Sequence, residues 1–309
     1  MTAPWPRPLE DVRGPIPAEK LDGAAAGMGD WGPETRALAA DGLVPPDMLT
    51  GMTLFLLARQ PRDPEREQQI PGGSGGVAGG VWVRERYTIH RPLARDDAFI
   101  VRGASEGRHV HKGRRYGTTT SETWNAAGER VASNLTTGLL AYKVEEGLAD
   151  GIEGRAPDDL TAPAPDAAAA RDNPCRERLA SLTAGEILGG YPVTVSLALM
   201  AARDTENPEN PIHSDPEIAR RAGLSRPIAG GSHVLAFALE PILARAGRMS
   251  LFYGVCFDVR WKAPVYADRV IQPSAQVLEA LADRVVFGVE AALEDGTIAM
   301  TGRVAVPMA

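Results

Sequence analysis

Residues 204–238 read DTENPENPIHSDPEIARRAGLSRPIAGGSHVLAFA, and the fold and chemistry of the chain can be inferred outward from this stretch. Within it, Asp215 suits the N-cap of a short helix, Pro216 its first position and Gly223 its left-handed end. The pattern predicts a helix over residues 216–222. Asp215 is therefore expected to act as a cap, worth roughly 1 kcal/mol, rather than as a catalytic group.

His213 lies just before this cap and follows the turn Asn210-Pro211-Ile212. Proline restricts its own backbone and that of the residue before it, so the imidazole is expected on a rigid corner. Such a placement suits an acid/base catalyst. A lone histidine is more often a packed or solvated side chain, and that alternative stays open on these residues alone.

A glycine pair, Gly230-Gly231, and Ser232 come immediately before the apolar run from Val234 to Leu239. Glycines at a helix start let a ligand approach free backbone N–H groups, whose partial positive charge favours a developing oxyanion. The competing interpretation is that the glycines only permit close packing of a buried helix.

Two motifs in this stretch resemble those of a known protein family. Asn210-Pro211-Ile212-His213 is followed, with Arg226 thirteen residues after His213, by Arg226-Pro227-Ile228 and then Gly231. At this mutual spacing they closely resemble the MaoC-like dehydratases, the (R)-specific enoyl-CoA hydratase or hydratase 2 family. In that family an Asp and the motif His activate the water that adds to an enoyl thioester, and a backbone N–H polarises the thioester carbonyl.

The resemblance implies a double hotdog fold and a cofactor-independent hydro-lyase that hydrates 2-enoyl thioesters or dehydrates 3-hydroxyacyl thioesters. The acyl carrier would be CoA or acyl carrier protein, in fatty acid or polyketide metabolism, and a homodimer is compatible with the family. The catalytic roles fall on His213, Gly231 and Asp204, and substrate-binding roles on Asn210 and Ser232.

Two departures from the family pattern bear on these roles. The family's usual Asp would fall on Pro208, and the segment repeats Glu-Asn-Pro, which indicates a four-residue lengthening of the loop. Asp204 is then the shifted counterpart, with Glu206 or Glu209 as substitutes. The second departure is Gly230, where the family commonly has His; His233 is a partial substitute or, on the alternative interpretation, a core residue.

The rest of the chain indicates an α+β architecture of two similar units. Residues 81–90 alternate as a strand, with Val81, Val83, Tyr87 and Ile89 on one side and Trp82 and Arg84 among those on the other. Further strands are predicted at 98–105, 115–124 and 130–142. Pro92 and Pro264 are 264 − 92 = 172 apart, and the turn glycines Gly128 and Gly296 are 296 − 128 = 168 apart. These offsets suggest that a unit with a helix packed on one face of an antiparallel sheet is duplicated.

We accordingly divide the chain into an N-terminal hotdog repeat at 1–150, a linker at 151–180 and a C-terminal repeat at 181–309. The first repeat lacks an Asn-Pro-x-His motif. One active site per chain is therefore expected in the second repeat, with the first repeat shaping the pocket for the acyl tail.

Composition excludes several other classes of function. A net charge of −7 over 309 residues argues against nucleic acid or an acidic membrane surface as a partner. Two cysteines cannot form a disulfide framework, so a cytoplasmic protein is expected. His109 and His111 could share a metal on one strand, but a solvated hairpin is the favoured interpretation and no metal is expected. A hotdog thioesterase and an inactive acyl-thioester-binding paralogue remain as alternative functions.

Overall fold

The computed structural model describes residues 4–60, 81–140, 144, 146–204 and 211–308, and Asp204 by its backbone alone. The strands within these ranges are β1 Arg7–Pro8, β2 Val12–Arg13, β3 Val81–Ile89, β4 Phe99–His111, β5 Arg114–Asn125, β6 Arg130–Leu139, β7 Gly151–Gly154, β8 Ile187–Gly189, β9 Val193–Val195, β10 Val255–Trp261, β11 Arg269–Ala280, β12 Arg284–Leu293 and β13 Ile298–Pro307. The helices are α1 Ala18–Gly27, α2 Pro33–Ala40, α3 Met52–Ala58, α4 Ala167–Ala170, α5 Arg176–Ala180, α6 Leu197–Asp204, α7 Pro216–Arg221 and α8 Gly231–Ala246. None of these helices is long and apolar enough to cross a bilayer.

All the strands join one antiparallel sheet with the order β1-β4-β5-β6-β3-β10-β13-β12-β11-β8. The halves β4-β5-β6-β3 and β11-β12-β13-β10 have the same internal order and meet where β3 pairs with β10. Short strands also pair with the outer long strand of each half: β1, β2 and β7 with β4, and β8 and β9 with β11. The predicted duplication and the α+β double hotdog class are confirmed.

The strand registers reproduce the two offsets that the sequence suggested. Ser121 pairs with Asn134 in the first repeat and Val289 pairs with Gly302 in the second, and 289 − 121 = 302 − 134 = 168. Likewise Glu85 pairs with Thr136, whereas Phe257 pairs with Val304, where 257 − 85 = 172 and 304 − 136 = 168. Positions related by these offsets are therefore structurally equivalent.

The helix α8 forms the centre of the second repeat. It contacts β11, β12 and β8, and its side chains are apolar and buried along nearly its whole length because it is covered on several sides. The buried polar exceptions are His233 and Glu240, and the Glu240 carboxylate accepts hydrogen bonds from the backbone N–H groups of Glu34 and Thr35 at the start of α2. In the first repeat the shorter α3 takes the corresponding place on β4, β5 and β6.

The seam between the repeats is buried on both faces of the sheet. On the helix-covered face, the rings of Tyr87 and Phe257 stack with centroids 4.2 Å apart. On the opposite face, Arg86 and Thr88 donate hydrogen bonds to backbone carbonyls of the segment 157–166, and His90 Nδ1 lies 2.8 Å from the Asp166 carboxylate. Burial of His90 lowers its pKa, against the opposing effect of Asp166.

The predicted linker at 151–180 thus contains ordered structure. It includes β7, which pairs with β4, and the short helices α4 and α5, and it covers the outer face of β3 and β10. The exact repeat boundaries at 150 and 180 remain a prediction.

One prediction about β3 is wrong. The simple alternation placed Trp82 on the same side as Arg84, but the pairing with β6 shifts between them: Trp82 faces Gly138 and Arg84 faces Thr137. The extra residue, Val83, is a β-bulge, which reverses the side-chain alternation before it. Trp82 therefore lies on the helix-covered face of the sheet, where it meets the start of α8.

Candidate active site

The turn that carries His213 is held by local hydrogen bonds and a small apolar cluster. Residues Pro211–His213 form a 3₁₀ turn, and the N–H groups of Ser214 and Asp215 donate to the Pro211 carbonyl at 3.2 and 2.8 Å. Ile212 is fully buried against Ala219, Leu224 and Ile228. The backbone before and after the histidine is thereby fixed.

The predicted helix after this turn is confirmed as α7. Asp215 Oδ1 accepts hydrogen bonds from the N–H groups of Glu217 and Ile218 at 2.8 and 3.0 Å, as an N-cap does. The helix ends at Arg221, and Gly223 has a φ of +91°, the left-handed conformation expected at a helix end. Asp215 has the structural role that the sequence assigned to it.

The imidazole of His213 is buried and has one fixed tautomer. Its Nδ1 lies 2.7 Å from the backbone carbonyl oxygen of Ile228. A carbonyl can only accept, so Nδ1 carries the proton, and Nε2 of the neutral ring keeps its lone pair. Ile228 is itself held, because its N–H donates to Ile212 and it forms a bridge with Tyr266. The orientation of the ring is therefore set by a backbone carbonyl that is itself fixed.

The free edge of this ring faces the first turn of α8. Gly230 is the N-cap, and a Cβ atom built there would lie 3.9 Å from His213 Cε1 and 4.0 Å from Nε2 and from Ser232 Oγ. The N–H groups of His233 and Val234 donate to the Gly230 carbonyl. The N–H groups of Gly231 and Ser232 precede these intrahelical bonds, so they are among the donors that a helix start leaves open.

The glycine at 231 is also required by packing. A Cβ atom there would lie 3.0 Å from ring atoms of both Trp82 and Trp261, closer than side chains normally approach. The indole N–H of Trp261 donates to the Gly231 carbonyl at 3.0 Å, and the two indoles contact each other with centroids 5.6 Å apart. Gly231 therefore serves both interpretations. Its Cα hydrogen faces the two indoles, where a side chain would be crowded, while its N–H remains open to a ligand.

The structure leaves the carboxylate partner of His213 undetermined. Asp204 is the last residue of α6, which packs against the 211–213 turn, but its side chain lies outside the described part. Glu206, Glu209 and Asn210 fall in the stretch 205–210, also outside the described residues. Of the predicted site residues, the structure brings together His213, Gly231 and Ser232.

Sequence reasoning missed a buried ion pair beside this site. Arg203, the residue before Asp204, pairs with Asp47 of the first repeat, and both side chains are almost fully buried. Burial raises the pKa of Asp47, while the guanidinium opposes that rise. The pair joins the end of α6 to the other repeat. No local pattern could have revealed it, because the partners are 156 residues apart.

His233 does not replace the histidine that the family has at Gly230. Its Nε2 lies 2.8 Å from the Gly27 carbonyl, so this nitrogen donates a hydrogen bond to the first repeat. Burial, with a contribution from the nearby Arg203 cation, lowers its pKa to about 3. His233 is a neutral core residue, as the second interpretation from the sequence held.

The two hairpin histidines, His109 and His111, have different contacts. His109 stacks on Tyr116 with ring centroids 4.7 Å apart, and His111 lies 3.2 Å from the Asp150 carboxylate. The described residues contain no group of three or more His, Cys, Asp or Glu placed to hold a metal ion.

Comparisons with known proteins agree with this geometry. The family model described as "MaoC like domain" matches residues 193–294. A comparison with curated protein sequences found no match. A solved MaoC-like dehydratase is 18% identical, with 98% of this chain and 97% of that chain covered and a TM-score of 0.69. A MaoC-like dehydratase from Phytophthora capsici is 14% identical, with 97% and 96% covered and a TM-score of 0.62.

The description of a third similar structure gives the name of the fold. The Rv0216 protein of Mycobacterium tuberculosis, described as having a double hotdog fold, is 16% identical over 93% of this chain and 92% of its own, with a TM-score of 0.55. The matched segment 193–294 contains His213 and the start of α8. The chain therefore has a double hotdog fold, and its segment 193–294 matches the MaoC-like domain.

Proposed function

We propose that this protein is a hydro-lyase that reversibly hydrates 2-enoyl thioesters of CoA or acyl carrier protein. The observation that carries the proposal is the hydrogen bond from His213 Nδ1 to Ile228, which leaves the lone pair of Nε2 directed at the first turn of α8. A base and a set of open backbone donors thus face one another, as addition of water to a conjugated thioester requires.

In the hydration direction, the thioester carbonyl oxygen binds at the N–H groups of Gly231 and Ser232. His213 Nε2 removes a proton from water as the water oxygen bonds to C3 of the substrate. The electron pair of the C2–C3 double bond moves to the thioester oxygen, forming an enolate that the N–H donors stabilise. The proton taken up by His213 then returns to C2, which restores the free base, and the product is a 3-hydroxyacyl thioester.

The general base and the oxyanion donors each contribute to the rate enhancement. A positioned general base contributes about 10²–10⁴-fold, and one oxyanion donor about 3–4 kcal/mol. Asp204 is the proposed partner that fixes the water with His213, because α6 anchors its backbone beside the 211–213 turn. Glu206 and Glu209 remain the alternatives for this role.

A thioesterase would use the same donors at the start of α8, and an inactive paralogue would bind the thioester without reaction. Crotonyl-CoA separates the three functions when loss of enoyl absorbance and release of free thiol are followed in parallel. Loss of absorbance without thiol supports the hydratase. Thiol release identifies a thioesterase, and binding without either change identifies an inactive paralogue.

A further inference from the structure

The interior of the first repeat is polar where that of the second is apolar. On the face covered by α3, the sheet presents several buried polar side chains, among them those of Glu85, Ser121, Asn134 and Thr136. The equivalent positions under α8, by the offsets of 172 and 168, are Phe257, Val289, Gly302 and Val304. The duplicated fold therefore does not itself require polar groups at these places.

Some of these groups bond to each other and to the helix above them. Asn134 Nδ2 donates to Glu85 Oε1 at 3.0 Å and to the Leu49 carbonyl at 3.2 Å. The hydroxyl of Thr53 on α3 lies 2.8 Å from that of Ser121 and accepts from that of Thr136 at 3.0 Å. These contacts order the polar side chains in place.

Other atoms of the same cluster are buried without a partner among the described residues. They are Glu85 Oε2, Asn134 Oδ1, the hydroxyl of Tyr87 and that of Thr123. Buried polar atoms in folded proteins almost always have partners, because each one left unpaired is costly. Three of the four atoms belong to Glu85, Tyr87 and Asn134, which are neighbours because Tyr87 pairs with Asn134 across β3 and β6. A ligand with a hydrogen-bonding group would satisfy them.

This cluster is connected to the active site along β3. Trp82, which contacts the start of α8, and Glu85 lie on the same face of that strand, because the bulge at Val83 brings Trp82 to the helix-covered side. Three residues separate them, a distance of roughly 7–10 Å at about 3.3 Å per residue with one residue bulged. This span is comparable to the length of a medium-length acyl chain whose thioester lies at the α8 donors.

From this arrangement we infer that the protein selects acyl thioesters whose tail carries a hydroxyl group, which binds at Glu85, Asn134 and Tyr87. The inference rests on the proposed function, since it concerns the tail of the same substrate. A hydroxyl both donates and accepts, so it can donate to the amide oxygen of Asn134 and accept from a protonated Glu85. Burial raises the pKa of Glu85 to about 8, so this carboxyl group is protonated at neutral pH.

The charges around the cluster favour a neutral tail over an anionic one. Asp47 and Glu85 both act on Tyr87, whose pKa is raised chiefly by burial and further by these two carboxyl groups. The nearby cation, Arg203, is already paired with Asp47. A carboxylate on the acyl tail would meet no free cation among the described residues of this cluster, whereas a hydroxyl needs none.

The test compares thioesters of equal length with and without a terminal hydroxyl group. Affinities are measured by calorimetry for octanoyl-CoA and 8-hydroxyoctanoyl-CoA, and kcat/KM for the corresponding 2-enoyl thioesters, with C6 and C10 pairs alongside. We expect the hydroxylated compound of at least one length to bind about tenfold more tightly, with a similar preference in kcat/KM. Glu85→Gln, which keeps a donor and an acceptor, should retain the preference, and Glu85→Leu should abolish it.

Thr118→Val is the matched control. Thr118 is on β5, is fully buried and has a hydroxyl without a partner among the described residues, but it lies on the opposite face of the sheet from Ser121. Its variant should keep the wild-type preference. Equal or weaker binding of every hydroxylated compound by the wild type, or an unchanged preference in folded Glu85→Leu, would overturn the inference. If binding shows the preference but no 2-enoyl thioester is hydrated, the tail site stands and the proposed reaction is wrong.

Discussion

The buried carboxyl group of Glu85 should make the stability of the protein depend on pH in a way that Glu85→Gln removes. Glu85 is fully buried on β3, and its Oε1 accepts a hydrogen bond from the amide of Asn134 at 3.0 Å. Burial is the main cause that raises its pKa from 4.5 to about 8, while hydrogen bonds from Asn134 and Thr136 oppose the rise. The folded protein therefore holds a proton that the unfolded chain releases at much lower pH.

The sign of the effect follows from which state binds the proton. Below the unfolded pKa of 4.5 both states are protonated, and the contribution of Glu85 to stability is fully present. As the pH rises from 4.5 to about 8, the unfolded state ionises first and is stabilised, so the free energy of unfolding falls. One pKa unit corresponds to about 1.4 kcal/mol, and the loss between pH 5 and pH 8 amounts to roughly 3–4 kcal/mol.

Urea denaturation at pH 5, 6, 7 and 8 measures this loss for the wild type, Glu85→Gln and the control Thr118→Val. Other titrating groups act alike in all three, so the difference between wild type and Glu85→Gln isolates Glu85. We expect that difference to change by roughly 3–4 kcal/mol in favour of the variant from pH 5 to pH 8, while Thr118→Val follows the wild type. Parallel curves for wild type and Glu85→Gln would refute the reasoning, because Glu85 would then ionise in the folded protein as it does in water.

The catalytic assignments make four further predictions. His213→Ala should lower kcat about 100-fold or more with an unchanged circular dichroism spectrum, and near-normal turnover would contradict the base role. Asp204→Asn should remove most activity and Glu209→Gln little; the reverse result in the same assay would transfer the partner role to Glu209. Gly231→Val should reduce kcat/KM severely and also destabilise the fold by about 1–3 kcal/mol, because its side chain would collide with two indoles; an unchanged melting temperature would show that the indoles move aside. Asp215→Ala should cost about 1 kcal/mol of stability in urea denaturation without changing kcat, and a large loss of kcat would return Asp215 to the catalytic candidates.

The parts of the fold that could be predicted from the sequence are those specified by neighbouring residues. The N-cap at Asp215, the left-handed glycine at 223 and the strand at 81–89 all depend on local backbone preferences and side-chain period. The duplication was also visible, because turn residues such as Gly128 and Gly296 occur at fixed distances. In each case the deciding information lies within about ten residues or repeats at a constant spacing.

The parts that could not be predicted depend on long-range contacts. The bulge at Val83 moves Trp82 to the other face, and only the pairing with β6 shows it. The partnership of Arg203 with Asp47 joins residues from different repeats. Glu85 fits an alternating strand equally well as a solvated residue, and its burial follows from the coverage of both faces of β3.

The two repeats differ in whether their helix can offer backbone donors to a ligand. In the second, α8 begins abruptly at Gly230, whose extended backbone (φ −61°, ψ 146°) leaves the following N–H groups open. In the first, a 3₁₀ turn at Met48–Gly51 runs directly into α3, and Gly51 is itself helical (φ −65°, ψ −9°), so the chain has no comparable start at that point. Of these two helices, α8 is therefore the one whose start can form an oxyanion site of the proposed kind. Polar side chains under α3 therefore do not disturb the proposed oxyanion site. On the proposed function, this separation lets the first repeat select the substrate and the second repeat convert it.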